Sequence, residues 1–185
     1  MGRPKETLPI AGNSLLGRAV ETLILCTHPV LVVARSPQQE LPPLPIESEV
    51  TFDTTPERGP LAGIRDGMKW LGKQCDVVLV TGCDMPFLDV AAVSWLAGQL
   101  ADHDAVVPRV DGVLQPLCAI YSLRTLPVIE ALLADGQQAP RALAERVRTR
   151  FLDEQAIDAF DPRRRFLRSI NTPEDYESAR RELGG

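Results

Sequence analysis

The chain has 185 residues, 44% of them hydrophobic and 24% charged, which suits one globular domain spanning residues 1–185 around a sizeable core. Its formal net charge of -5 argues against nucleic acid as a partner, because such surfaces need a basic stripe, so any phosphate it binds must meet local positive charge. No apolar run approaches the roughly 20 residues that cross a bilayer, and Met1-Gly2-Arg3-Pro4-Lys5 lacks the apolar core of a secretion signal, so the expected setting is cytoplasmic with no membrane partner. Cys26, Cys75, Cys83 and Cys118 are scattered without the spacing of a zinc or redox motif and read as reduced, mostly core-filling thiols.

From the N-terminus, Leu15, Leu16, Ala19, Val20, Leu23 and Ile24 recur at helical spacing behind Ser14, a natural N-cap. Val30 to Ala34 is a short buried strand. Four prolines between Ser36 and Pro45 predict an extended surface connection. Glu49 to Asp53 reads as the next strand, ending in an acid. Gly59-Pro60-Leu61-Ala62-Gly63 then opens a helix with Pro60 in its first turn, where a missing N–H costs nothing.

Asp76-Val77-Val78-Leu79-Val80-Thr81 has the β-branched run of a buried parallel strand and stops at Gly82, delivering Asp84 just beyond its end. In open α/β sheets that is where ligands bind, so Asp84 is placed to hold a hard cation and a phosphate chain. On spacing alone, the favoured reading of Asp84 is a cap for the helix that begins near Asp89, and the rest of the chain shifts it to the site.

A helix from about Val90 to Ala101 follows, then a strand at Ala105 to Pro108 and a hairpin-like turn at Val110-Asp111-Gly112-Val113. Gln115 to Tyr121 is apolar, and helical patterns recur at Leu126–Leu133 and Pro140–Val147, ahead of Phe151-Leu152. Phe166 to Ile170 looks strand-like. In Asn171-Thr172-Pro173-Glu174-Asp175 a helix start is written out: Thr172 caps, Pro173 takes the first position and two acids meet the positive end. Alternating strands and helices predict an α/β, Rossmann-like three-layer fold, a mostly parallel sheet with helices on both faces. Trp70 and Trp95 fall on helices and read as core or interface residues; His28 and His103 have no liganding company.

Lys5, Asp53 and Asp84 all sit near the ends of strands, a set that suits a triphosphate with a divalent cation. Around them, Met1-Gly2-Arg3-Pro4-Lys5 with Leu8-Pro9-Ile10, Gly59-Pro60-Leu61-Ala62-Gly63, Cys83-Asp84-Met85-Pro86-Phe87-Leu88 and Asn171-Thr172-Pro173-Glu174-Asp175 occur in the order found in the molybdenum cofactor guanylyltransferases, which the chain resembles. Gln115-Pro116-Leu117 and Ala119-Ile120-Tyr121, after Val107-Pro108-Arg109, are similar to that family's substrate-side segment.

The resemblance implies a nucleotidyltransferase that joins GMP from GTP to molybdenum-molybdopterin and releases pyrophosphate, with Mg2+ as cofactor. Carried over residue by residue, it implies that Lys5 contacts the GTP phosphates, Asp53 the nucleotide, and Asp84 the nucleotide and magnesium. It places Asn171 in the metal environment, makes Lys5 and Asp84 the catalytic pair, and suggests molybdoenzymes or their chaperones as protein partners. Arg163-Arg164-Arg165 with Arg168 reads as a solvated basic turn before it reads as a receiver of the pterin phosphate.

The resemblance also has a gap. The family carries a strand and a Leu-Ala-Gly-Gly phosphate loop just before the Met-Gly that is Met1-Gly2 here. The expectation is a domain truncated at its N-terminus by a start codon placed too late, missing a central strand and leaving that strand's neighbours with unpaired edges. A shortened, non-catalytic nucleotide-binding module and a cytidylyl rather than guanylyl transferase are the competing readings. Val32-Val33-Ala34 and Ser169 stand where some relatives carry asparagine, which bears on base recognition.

Overall fold

The structure, a computed structural model, describes residues 4–55, 59–72 and 74–184; Met1, Gly2 and Arg3 lie outside them. A 3-10 turn at Lys5–Thr7 leads into a small hairpin of β1 (Pro9–Ile10) and β2 (Asn13–Ser14). Ser14 ends it by capping α1 (Leu15–Ile24), its hydroxyl accepting from the Gly17 N–H at 2.9 Å as the sequence predicts. β3 (Val30–Ala34) pairs in parallel with β4 (Ser48–Phe52), and α2 (Gly59–Leu71) returns the chain to β5 (Val77–Thr81).

The second half contains α3 (Val90–Gly98), β6 (Ala105–Val110), β7 (Val113–Leu114), β8 (Cys118–Ser122), α4 (Leu126–Ala134), α5 (Pro140–Arg146), β9 (Thr149–Leu152), α6 (Glu154–Phe160) and α7 (Pro173–Glu182). Its sheet runs β5-β8-β6-β7, with β9 also on β6. Asp111 and Gly112 turn the β6–β7 hairpin with φ of 49° and 74°, the positive pair that a two-residue hairpin loop needs.

Helices cover both faces of this sheet. Ala105, Val107, Ala119 and Tyr121 pack with residues of α2, α4 and α5, while Val106, Cys118 and Ile120 pack with residues of α3 and α6. That alternation explains why β6 and β8 read as unbroken apolar runs: neither side meets water. Trp95 stacks on Phe160 at 4.6 Å in the second core, and Trp70 packs against the first, so both tryptophans are core residues as expected. Each aliphatic side chain buried there contributes about 1.5–3 kcal/mol.

The structure differs from the sequence reading at five points. The pairing is mixed: β3–β4 and β6–β9 are parallel, but β5 runs antiparallel to β8, Val77 opposite Ser122 and Thr81 opposite Cys118. β5 is apolar yet not buried throughout, with Val77 38% exposed at its start, and among the described residues it pairs on one edge, with β8. Phe166 to Ile170 is a 3-10 turn and an irregular segment: the Asp161 carboxylate accepts from the backbone N–H groups of Arg163, Arg165 and Phe166, which competes with any strand ladder. Helix α6 has no counterpart in the sequence reading, and α3 stops at Gly98, where Gln99 closes a final turn onto Leu96.

Among the described residues no ladder joins β3 to β5, and a cleft of about 590 Å3 lies between them.

Candidate active site

Three chain segments that are far apart in sequence meet just beyond the end of β5. The Asp84 carbonyl accepts from the Ile170 N–H at 2.8 Å, which ties the loop after β5 to the segment leading into α7. Asp175 secures that segment from the other side. Its Oδ2 accepts from the N–H groups of Asn171 (3.0 Å) and Thr172 (2.8 Å) while Thr172 caps the helix, a reciprocal capping box. Those two backbone donors hold the Asp175 carboxyl below its ordinary range.

Asn171 is therefore fixed at its backbone, and its side chain is fixed as well: Nδ2 donates to Ser169 Oγ at 2.8 Å, leaving Oδ1 to accept from Lys5 Nζ at 2.9 Å. The same ammonium lies 3.2 Å from Asp84 Oδ2. Lys5, Asp84 and Asn171, named from the sequence, thus form one constellation. Asp84 does not cap the following helix, since Asp89 does so by accepting from the Ala92 N–H. Arg18 Nε donates to the Pro86 carbonyl at 2.8 Å and pins the loop that carries Asp84.

Gly82 is required here for space. A Cβ on it would lie 2.6 Å from Asp84 Oδ1, closer than real Cβ atoms approach anything, so only glycine lets the carboxylate fold back against the chain. Cys83, beside it, has its thiol pushed up to about 11 by burial and then by the Asp84 charge, which keeps it a protonated, inert hydrophobe.

Asp53 stands one residue past β4 and lines the same cleft as Glu6, Gly82 and Cys83. Its Oδ1 accepts from the Thr55 N–H at 2.8 Å, and its other oxygen faces Gly63 of α2. Beneath it lies a network that the sequence reading did not name. The Asp66 carboxylate, 9% exposed, accepts from the Thr54 N–H (2.7 Å), the Thr54 hydroxyl (2.8 Å) and Arg65 Nε (2.7 Å) and Nη2 (2.9 Å). Burial alone would raise the Asp66 pKa, but the Arg65 guanidinium and the Thr54 donors outweigh it and hold the carboxyl below its ordinary value. The one signal in the sequence was an acid at a buried position of a helix otherwise lined there by Leu61, Ala62, Ile64 and Met68.

Three of the four arginines of the basic turn are paired: Arg164 with Asp158, and Arg165 and Arg168 both with Glu182, the latter two also lying over the Phe87 ring. Among the described residues no group of three or more His, Cys, Asp or Glu side chains could enclose a metal ion. One carboxylate and a carboxamide oxygen are all-oxygen donors, a set that fits Mg2+ shared with substrate phosphates and water rather than a protein-only cage. No helix among them is long and apolar enough to cross a membrane.

The chain matches the family model described as MobA-like NTP transferase domain over residues 1–151. It is 32% identical over 179 residues to a molybdenum cofactor guanylyltransferase of Desulfosudis oleivorans, covering 96% of this chain and 86% of that protein. A probable molybdenum cofactor guanylyltransferase of Methanosarcina mazei is 31% identical, with 94% and 81% covered. Among solved structures, molybdopterin-guanine dinucleotide biosynthesis protein A from Archaeoglobus fulgidus superposes with a TM-score of 0.79 at 23% identity, covering 98% of this chain and 91% of that one. The 2-C-methyl-D-erythritol 4-phosphate cytidylyltransferase of Thermus thermophilus superposes at 0.73 with 18% identity, with 97% and 93% covered, a likeness of fold alone.

Proposed function

The chain belongs to the molybdenum cofactor guanylyltransferases of the MobA-like NTP transferase family, and on that premise we propose that it transfers GMP from GTP to molybdenum-molybdopterin. The observation that carries the reading is the convergence of Lys5 on Asp84 and Asn171 at the end of β5. A terminal phosphate oxygen of the pterin attacks the α-phosphorus of GTP; a P–O bond forms to it as the bond to the β-phosphate breaks, and pyrophosphate leaves with the electron pair. No covalent protein intermediate is needed, so the protein supplies position and charge.

Lys5 offsets the repulsion between the two phosphates. Asn171 aims that ammonium, and its Oδ1 would help hold Mg2+. Asp84 would hold Mg2+, which would neutralise phosphate charge and polarise the α-phosphorus. Asp53, across the cleft, contacts the nucleoside, and the Asp66–Thr54 network holds its loop in place. The reaction belongs to the cytoplasm, with molybdoenzymes or their chaperones as the receivers of the product.

Calorimetric titration with GTP and CTP, with and without Mg2+, tests this directly. Magnesium-dependent binding that prefers GTP and is lost in Asp84→Ala is expected. Equal binding of CTP would overturn the base assignment, and binding unaffected by Asp84→Ala would overturn the metal role. A folded chain that binds neither nucleotide would be a binding module instead.

A further inference from the structure

The outer edge of β4 faces away from every other strand, since among the described residues β4 pairs with β3 alone. The Asp53 N–H donates to the Ala34 carbonyl, so the odd-numbered residues of β4 turn their backbone groups to β3. Val50 and Phe52 therefore turn theirs outward, and no loop, helix or side chain among the described residues bonds them. Such edges are normally guarded by basic residues, by proline or by a covering segment. β9, another strand with a single partner, is guarded in this way: Arg150 Nη1 reaches the Gln99 carbonyl at 3.1 Å and the Arg109 guanidinium lies over the Phe151 ring. β4, Ser48-Glu49-Val50-Thr51-Phe52, holds neither a basic residue nor a proline.

Its side chains sort by face. Val50 and Phe52 stand beside Val32 and Ala34 on the face that α1 covers, and they are left 40% and 39% exposed. Ile46, just ahead of the strand, is 95% exposed. On the other face Glu49 stands beside Leu31. Glu47 and Glu49 are exposed, and neither pairs with a basic side chain among the described residues. From Ser36 to Asp53 the chain carries four acids and no lysine, arginine or histidine, so the edge is both apolar and acidic.

We propose that the outer edge of β4 is a docking strand for another protein, adding one extended segment in which apolar and basic residues alternate. The backbone of that segment satisfies the outward N–H and C=O groups of Val50 and Phe52, its apolar side chains cover those two residues, and its basic side chains meet Glu49 on the other face. Five residues, about 17 Å of strand, match the length of β4. A second copy of this chain is the wrong occupant. Antiparallel pairing of two β4 strands about Val50 sets Glu47 opposite Asp53 and brings the two Glu49 carboxylates onto one diagonal, like charges in both places.

The probe is the capped peptide Val-Lys-Val-Lys-Val, whose pattern reads alike in both directions; one control replaces both lysines by glutamate and another replaces the central valine by proline. Titration into the full chain is followed by calorimetry, sedimentation and residue-resolved amide exchange. One lysine peptide should bind per chain with no change of oligomeric state. At a free concentration about ten times its dissociation constant, exchange at Val50 and Phe52 should slow about tenfold, while Glu49 and Thr51, already bonded to β3, keep their rates. Glu49→Lys, shown to be folded by circular dichroism, should prefer the glutamate peptide. No binding of the lysine peptide would overturn the proposal, as would equal binding of either control, slow exchange at Val50 and Phe52 in the free chain, or pairing of two copies along this edge.

Discussion

Replacing Asp66 by alanine strikes the point where fold and site are joined. The carboxylate is 9% exposed and accepts four hydrogen bonds, two from Thr54 and two from Arg65, whose side chain is itself 14% exposed. Its loss leaves the Thr54 N–H without its acceptor and the guanidinium without its counter-charge, although Arg65 keeps the Thr54 and Thr55 hydroxyls. An orphaned buried donor costs about 1–3 kcal/mol and a broken buried ion pair about 3–5, so about 3 kcal/mol is expected. For a chain of this size that lowers the melting temperature by about 6–12 °C.

Asp66→Asn retains an acceptor for Thr54 but loses the charge and sets an amide donor against Arg65 Nε, so it should cost about 2 kcal/mol, less than alanine. The Asp53 loop hangs from the same network, so below its melting temperature Asp66→Ala should raise the KM for GTP more than it lowers kcat, with Asp66→Asn recovering most of the difference. Thermal unfolding followed by circular dichroism and steady-state kinetics measures both. Asp66→Ala melting within about 1 °C of wild type would refute the idea that this carboxylate ties α2 to the loop after β4.

Gly82→Ala should leave the melting temperature nearly unchanged but displace the Asp84 carboxylate, lowering kcat/KM about 100-fold, since a shift near 1 Å in a positioned group has that effect; wild-type kinetics in this variant would refute the close-approach argument. The Asp66 and Asp175 carboxyls both titrate below their ordinary range in the folded chain. Each therefore stabilises fully above the unfolded carboxylate pKa near 4, and that contribution is lost as pH falls through the folded value. Melting temperature should be flat from about pH 7 to 5 and drop below about pH 4, and Asp66→Asn should flatten part of that drop. A pH-independent melting temperature down to about pH 2.5 would contradict both assignments.

Much of the site was visible in the chain because its parts are local. Ser14, Asp89 and Thr172 cap helices within three residues of themselves, and Asp84 follows a β-branched run that any sheet would accept. Lys5, Asp84 and Asn171 were named through family motifs, and packing then brought them within hydrogen-bonding distance. What the chain order could not supply is anything that depends on which surfaces meet. The antiparallel seating of β5 on β8 follows from the β6–β7–β8 meander reversing direction, a matter of topology with no trace in the Val77–Thr81 run. Asp66 looks like one more surface acid until α2 lies against the Thr54 loop, where low exposure and four donors change its role. Sequence by itself determined most of the elements and their caps, since those follow from backbone propensity and short-range hydrogen bonds, and family motifs singled out the candidate site residues. Only the tertiary structure decided strand direction, the Asp66 network and the open cleft between β3 and β5, because each is a contact between segments that the chain leaves far apart.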